Sequence, residues 1–222
     1  MKKEKFIPLE GYLEFSLDEM KERSKKFLSE MKKRRSIREF SQRSFPRKII
    51  ENCLLSASSA PSGANRQPWQ FVVVSDSKVK KEIRQEAEKR EQEFYQNLST
   101  KKWVKELEPL GTDASKHFLE EAPYLIAVFA QRYTWSENGE KQLNYYVPES
   151  VGIATGMLIT AIHNTGLACL TYTPPKIGFI NQILHRPTNE RPFMILVVGF
   201  PAKNVLVPKI TRKNLSEIVQ FI

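Results

Sequence analysis

Two short apolar runs, residues 122–130 and 193–200, constrain this chain most. Each falls far short of the roughly twenty apolar residues that span a bilayer, so both read as buried strands. Residues 69–74 form a β-branched and aromatic run that reads as a third strand, and residues 169–173 as a fourth. Helical patterns alternate with them. Over residues 17–33 the apolar positions Leu17, Met20, Phe27, Leu28 and Met31 recur at helical spacing behind a capping Ser16. Phe45 and Pro46 precede a second helix through Ile49, Ile50, Cys53, Leu54 and Ala57, which the turn residues 60–64 must end. Residues 78–98 are strongly charged and read as a solvated helix. Residues 99–113, with weak periodicity and Pro, Gly and Thr, read as a mobile cover. Residues 149–166 are small and apolar throughout, as a central helix packed on all sides would be. Strands alternating with helices predict one domain, α+β or α/β, with helices against the faces of a sheet.

The formal net charge of +10 raises the possibility of a nucleic-acid or anionic-surface binder, because clustered cations gain affinity by releasing counterions. The basic excess is densest over residues 21–38, but acidic residues are interleaved elsewhere and no nucleic-acid-binding signature is present. Cys53 and Cys169 lack CxxC spacing, and His117, His163 and His185 lack ligand spacing, so no metal is expected. The N-terminus shows no apolar stretch followed by a small-residue cleavage site; a cytoplasmic protein without membrane attachment is the expectation.

Two blocks carry candidate chemistry. In an extended segment Arg34, Ser36 and Arg38 point one way, alternating with Arg35 and Ile37, which would make a phosphate clamp. A solvated charge cluster is the plainer reading of such a block alone. Downstream, Pro61-Ser62-Gly63-Ala64-Asn65-Arg66-Gln67-Pro68-Trp69 lets the backbone approach a flat ligand, though alone it is also an ordinary helix-to-strand turn.

The order of RRSIR (34–38), PSGANRQPW (61–69) followed by FVVV, GLACLTYTP (166–174) and VGFP (198–201) resembles the nitroreductase superfamily of flavoproteins. Within it the chain is most similar to the iodotyrosine deiodinases, through APSGA, APYLI, the YY-E-S-GIA pattern and T-TP. The resemblance implies a nitroreductase-like α+β fold over residues 1–222, with a mostly antiparallel central sheet flanked by helices in an intertwined homodimer. It also implies an N-terminal extension and helix at 1–33 and a mobile active-site lid at about 86–116. FMN would be held by Arg34, Arg35, Ser36, Arg38, Pro61, Ser62, Asn65 and Arg212. Thr171, Tyr172 and Thr173 would run along the isoalloxazine, and Thr173, the expected catalytic residue, would donate near N5 to favour one-electron chemistry. Glu91 would accept from a substrate ammonium, Tyr95 and Lys116 would donate to its carboxylate, and the Ala64 amide would meet the phenolate. The implied reaction is reductive dehalogenation of halogenated tyrosine, with NAD(P)H or a reductase as electron donor. The chain differs from that branch at Asn65-Arg66-Gln67, where deiodinases commonly carry His-Thr-Glu and general nitroreductases Asn-x-Gln. A broad NAD(P)H-dependent nitroreductase or quinone reductase is therefore the second expectation, and a non-enzymatic anion binder the third.

Overall fold

A computed structural model describes residues 6–97 and 100–222. Residues 98 and 99, where the charged helix and the cover were expected to meet, and residues 1–5 lie outside the described residues. The chain divides into two compact units, residues 1–34 and 35–222.

The first unit is built on α1 (Leu17–Lys33), whose amide at Glu19 donates to the Ser16 hydroxyl at 3.3 Å. Asp18 and Glu19 in the first turn and Lys32 and Lys33 in the last oppose the helix dipole. Ion pairs one turn apart, such as Lys21–Asp18 and Lys33–Glu30, are exposed and add little each.

The second unit holds a five-stranded sheet in the order β1 (Phe40–Ser41), β7 (Glu190–Pro201), β3 (Tyr124–Gln131), β2 (Trp69–Val74), with β6 (Ala168–Tyr172) also paired to β7. Every strand pair in it is antiparallel, and a β-bulge lies between Val128 and Phe129 opposite β7. The apolar runs are explained by cover on both faces, because successive side chains alternate. On β7, Ile195 and Val197 face a core shared with α3 (Ser77–Gln96), α5 (Phe118–Glu121) and α7 (Phe179–Ile183). Leu196 and Val198 face a second core built with α2 (Arg47–Ser58) and α6 (Val147–Asn164).

One helix departs from expectation. α6 buries Val151, Ala154, Leu158 and Ile162, three or four residues apart, while Gly152, Ile153 and Gly156 are exposed. It is packed on one face of this chain, not on all sides; a helix apolar all round carries no periodicity to reveal which face meets its own core. Within the stretch expected to form the cover, α4 spans Lys101–Leu107 and a 3-10 turn spans Glu108–Leu110. A hairpin absent from the sequence reading pairs β4 (Tyr133–Trp135) with β5 (Lys141–Leu143). Among the described residues no helix is long and apolar enough to cross a membrane.

Candidate active site

The arginine block leaves α1 as extended backbone. Arg34 caps that helix with φ −63° and ψ 124° and belongs to the first unit. From Arg35 onward the segment lies beside β6, where Ser36 forms a parallel bridge with Cys169. Ile37 turns into the core, and Ser36 and Arg38 flank it half-buried. The Arg35 guanidinium donates to the Pro208 carbonyl, which brings the C-terminal segment past the block; Arg212, four residues on, is exposed. Burial holds the Arg38 pKa below its ordinary value, and Tyr95 opposes that shift. No carboxylate forms an ion pair with Arg38 among the described residues.

At the end of β6 the period of two sorts the residues. Thr171 and Thr173 are exposed, whereas Tyr172 is buried on the opposite face. Its ring meets Phe118 edge-on at 5.5 Å, and its hydroxyl donates to Glu91 Oε1 at 2.9 Å. The half-buried Arg38 guanidinium, the neighbouring serine and threonine hydroxyls and the strand end at Thr171–Thr173 are a donor set that fits a flavin phosphate and its ring system.

Glu91 itself is delivered by α3. Asp76 caps that helix, accepting from the Lys78 and Val79 amides at 2.9 and 3.0 Å. Lys80, Ile83, Ala87 and Glu91 then form its buried stripe. The Lys80 ammonium donates to the carbonyls of Glu120 and Ala122 at 2.9 and 2.7 Å, fastening α3 to the start of β3. Lys116 is seated by its amide, which donates to Glu88 at 2.7 Å, and by its ammonium, which reaches the Asp113 carbonyl and, at 3.3 Å, the Thr112 hydroxyl. That ammonium lies 3.6 Å from Glu91 Oε2, in a pair buried on both sides. It also lies 5.8 and 5.9 Å from the ring centres of Tyr95 and Tyr172. Tyr95 donates to the Thr112 carbonyl at 3.1 Å. Burial pushes Glu91 up despite Lys116 and Tyr172, and pushes Lys116 down despite Glu91 and Asp113. The Tyr95 and Tyr172 phenols are both raised, chiefly by burial. The arrangement pairs one buried carboxylate with one buried ammonium.

The 61–69 turn is built differently. Ala64, Asn65 and Gln67 all have positive φ, at 50°, 52° and 47°, a costly run for residues with a Cβ. It is fixed from both sides. The Ser62 hydroxyl accepts from the Gln67 amide at 2.9 Å, and a Cβ at Gly63 would stand 2.9 Å from the Tyr145 carbonyl. Arg66 donates to Asn144 at 3.1 Å, Thr134 at 3.0 Å and Gln142 at 3.1 Å, holding the β4–β5 hairpin.

One chain therefore gathers Arg35, Ser36, Arg38, Thr171–Thr173, Glu91, Tyr95 and Lys116 around one strand end. It does not bring Pro61, Ser62, Ala64 and Asn65 to them through the sheet. They precede β2, which β3 and β7 separate from β6, or about 14 Å at ordinary strand spacing. Two features of the site lie outside the expectations above. The inward direction of Tyr172 was legible from strand alternation. The hairpin that Arg66 holds was signalled by Asn138-Gly139, a common turn dipeptide.

A family model described as "Nitroreductase family" matches residues 31–200. The chain belongs to the nitroreductase family. Within that family it belongs to the iodotyrosine deiodinase branch. It is 49% identical over 214 residues to the iodotyrosine deiodinase of Haliscomenobacter hydrossis, covering 96% of each chain. With the iodotyrosine deiodinase of Nematostella vectensis it shares 43% over 203 residues, covering 91% of this chain and 77% of the other. Among solved nitroreductase-fold structures it is similar to a crystal structure of oxidised iodotyrosine deiodinase bound to FMN and 3-iodo-L-tyrosine. There the TM-score is 0.75 and the identity 34%, over 88% of this chain and 98% of that one.

Proposed function

We infer that this chain is an FMN-dependent iodotyrosine deiodinase, which replaces the halogen of a halogenated tyrosine by hydrogen and releases halide. The observation that carries the reading is the buried Glu91–Lys116 pair, with Tyr95 beside it and Arg38 close by. Its two charges are those a zwitterionic amino acid requires. The net change consumes two electrons and one proton: the carbon–halogen bond breaks, halide departs with its electron pair, and the ring carbon gains hydrogen. FMN, when bound, supplies the electrons in single steps.

The protein's own work is binding, orientation and exclusion of water. Arg35, Ser36, Arg38 and Arg212 hold the phosphate side of the cofactor, and Thr171, Thr173 and the Tyr172 backbone line its ring, with Thr173 as donor. Glu91 exchanges Lys116 for the substrate ammonium, while Lys116 and Tyr95 turn to its carboxylate; a zwitterion adds no net charge to the buried site. With residues 86–116 closed as a lid, water is kept from the ring and the polar contacts strengthen.

The remaining contacts come from a second copy. Pro61, Ser62, Ala64 and Asn65 belong to a pocket that the sheet order does not close within one chain, and Gly152 and Ile153 on α6 leave an uncovered face suited to self-association. The proposed assembly is a homodimer, drawing electrons from NAD(P)H or a reductase in the cytoplasm. The test is a visible-spectrum titration with iodotyrosine. Wild-type protein should be yellow and its flavin bands should shift on binding, whereas Glu91→Gln with Lys116→Ala should keep FMN and lose the shift. An unchanged titration in the double variant would refute the clamp; rapid nitroaromatic reduction without halide release would favour the general nitroreductase.

A further inference from the structure

Tyr172 stands between the two halves of this site. Its neighbours Thr171 and Thr173 expose their side chains on one face of β6, while its phenol is buried on the other and donates 2.9 Å to Glu91 Oε1. The ring is wedged in the core against Phe118, so the hydroxyl is held in place by packing. Lys116 has several partners. It lies 3.6 Å from the other Glu91 oxygen and has the Asp113 carbonyl and Thr112 hydroxyl as alternative acceptors.

We propose that the Tyr172 hydroxyl is the fixed positioning donor for Glu91: it aims that carboxylate at the substrate's ammonium and joins the amino-acid clamp to the strand that carries Thr171 and Thr173. The inference rests on the deiodinase reading and deepens it. When an amino acid enters, Lys116 leaves for its carboxylate and Glu91 loses its cation before the ammonium arrives. A buried carboxylate without a donor would then swing or take a proton. The phenol prevents both. It also ties the last turns of α3 to the end of β6, so occupancy of the clamp is felt at the backbone between the two threonines.

The charged groups facing this carboxylate fix the pH behaviour. Lys116 from the loop before α5 and the Tyr172 donor favour the ionised form, and Asp113 disfavours it. Glu88 and Tyr95 on α3 and Arg38 on the 35–38 segment act on Tyr172 or Lys116 in turn. Removing the phenol hydroxyl takes away one stabilising partner, so the acid-side loss of iodotyrosine binding should move to higher pH.

The test compares wild type with Tyr172→Phe, which keeps the ring. Flavin-fluorescence titration with 3-iodotyrosine should show affinity weakened by about tenfold or more, as for a lost hydrogen bond to a charged group. Titration with an ortho-iodophenol, which carries no ammonium, should match wild type. In a Glu91→Gln background the added Tyr172→Phe change should weaken iodotyrosine binding no further, because the phenol acts through Glu91. Wild-type affinity in Tyr172→Phe, an equal loss for the iodophenol, additivity with Glu91→Gln, or release of FMN by Tyr172→Phe would each overturn the proposal. Failure of wild-type protein to bind iodotyrosine would instead refute the deiodinase reading beneath it.

Discussion

Replacing Lys116 with methionine removes the one cation that pairs with Glu91 among the described residues and keeps most of the aliphatic stem. Two estimates bound the effect. At 3.6 Å and an effective dielectric near 20, the lost attraction is about 4.6 kcal/mol. The stranded carboxylate can instead take up a proton, which near pH 7 costs roughly 3.7 kcal/mol for a group of ordinary pKa ~4.3. The lower route sets the ceiling, and the retained Tyr172 hydrogen bond reduces the loss further, so about 2–3 kcal/mol is expected. The sign of the pH dependence follows. Glu91 is raised in the folded chain, so between the ordinary and folded values the folded state holds a proton that the unfolded state has lost. Stability therefore falls as pH rises through that window, and without Lys116 the window extends upward. Near pH 5 protonation costs only about 1 kcal/mol, so the difference between wild type and variant should shrink there. The assay is equilibrium denaturant unfolding of both proteins at fixed protein and FMN concentrations, near pH 7 and near pH 5. A loss under about 0.5 kcal/mol near pH 7, or one independent of pH, would show that the pair is not buried in solution and would refute this reasoning.

Gly199→Ala would place a Cβ 2.6 Å from Pro123 Cδ and 3.2 Å from Phe40 Cδ1; neither ring yields easily, and unfolding experiments should show about 1–3 kcal/mol lost. Arg66→Ala should free the β4–β5 hairpin, read as faster proteolysis within residues 136–140 and a stability loss of about 1–3 kcal/mol; unchanged cleavage would show that the hairpin is held by other contacts. Iodotyrosine affinity should decline on the acid side from above the ordinary glutamate range, as Glu91 is protonated. On the alkaline side it should decline from below the ordinary lysine range, as Lys116 loses its proton. Isothermal titration across pH, with an iodophenol control to remove the phenol's own ionisation, checks both limbs.

Where one interaction dominates locally, the sequence was a sufficient guide. Ser16 marks the start of α1 because a hydroxyl before an amphipathic run caps the first free amides. Residues 69–74 read as a strand because β-branched and aromatic side chains suit a sheet covered on both faces. Which face of α6 meets this chain's own core is not legible, because Gly152, Ile153 and Gly156 are as apolar as the buried stripe. The hairpin is hard to read despite Asn138-Gly139, since its strands are only three residues each. At the site, it was the resemblance to the iodotyrosine deiodinases that pointed to Glu91, Tyr95 and Lys116, and the fold places the three together. The hydrogen bond from Tyr172 could not be read from order, because it joins residues 81 apart through the packing of α3 against β6.

Halide release is the most direct measurement of the proposed activity. Purified protein containing FMN, reduced under anaerobic conditions and mixed with 3-iodotyrosine, should yield tyrosine and iodide in equal amounts as the flavin reoxidises. Protein that takes up FMN and is reduced, yet returns iodotyrosine intact with no iodide formed, would contradict it.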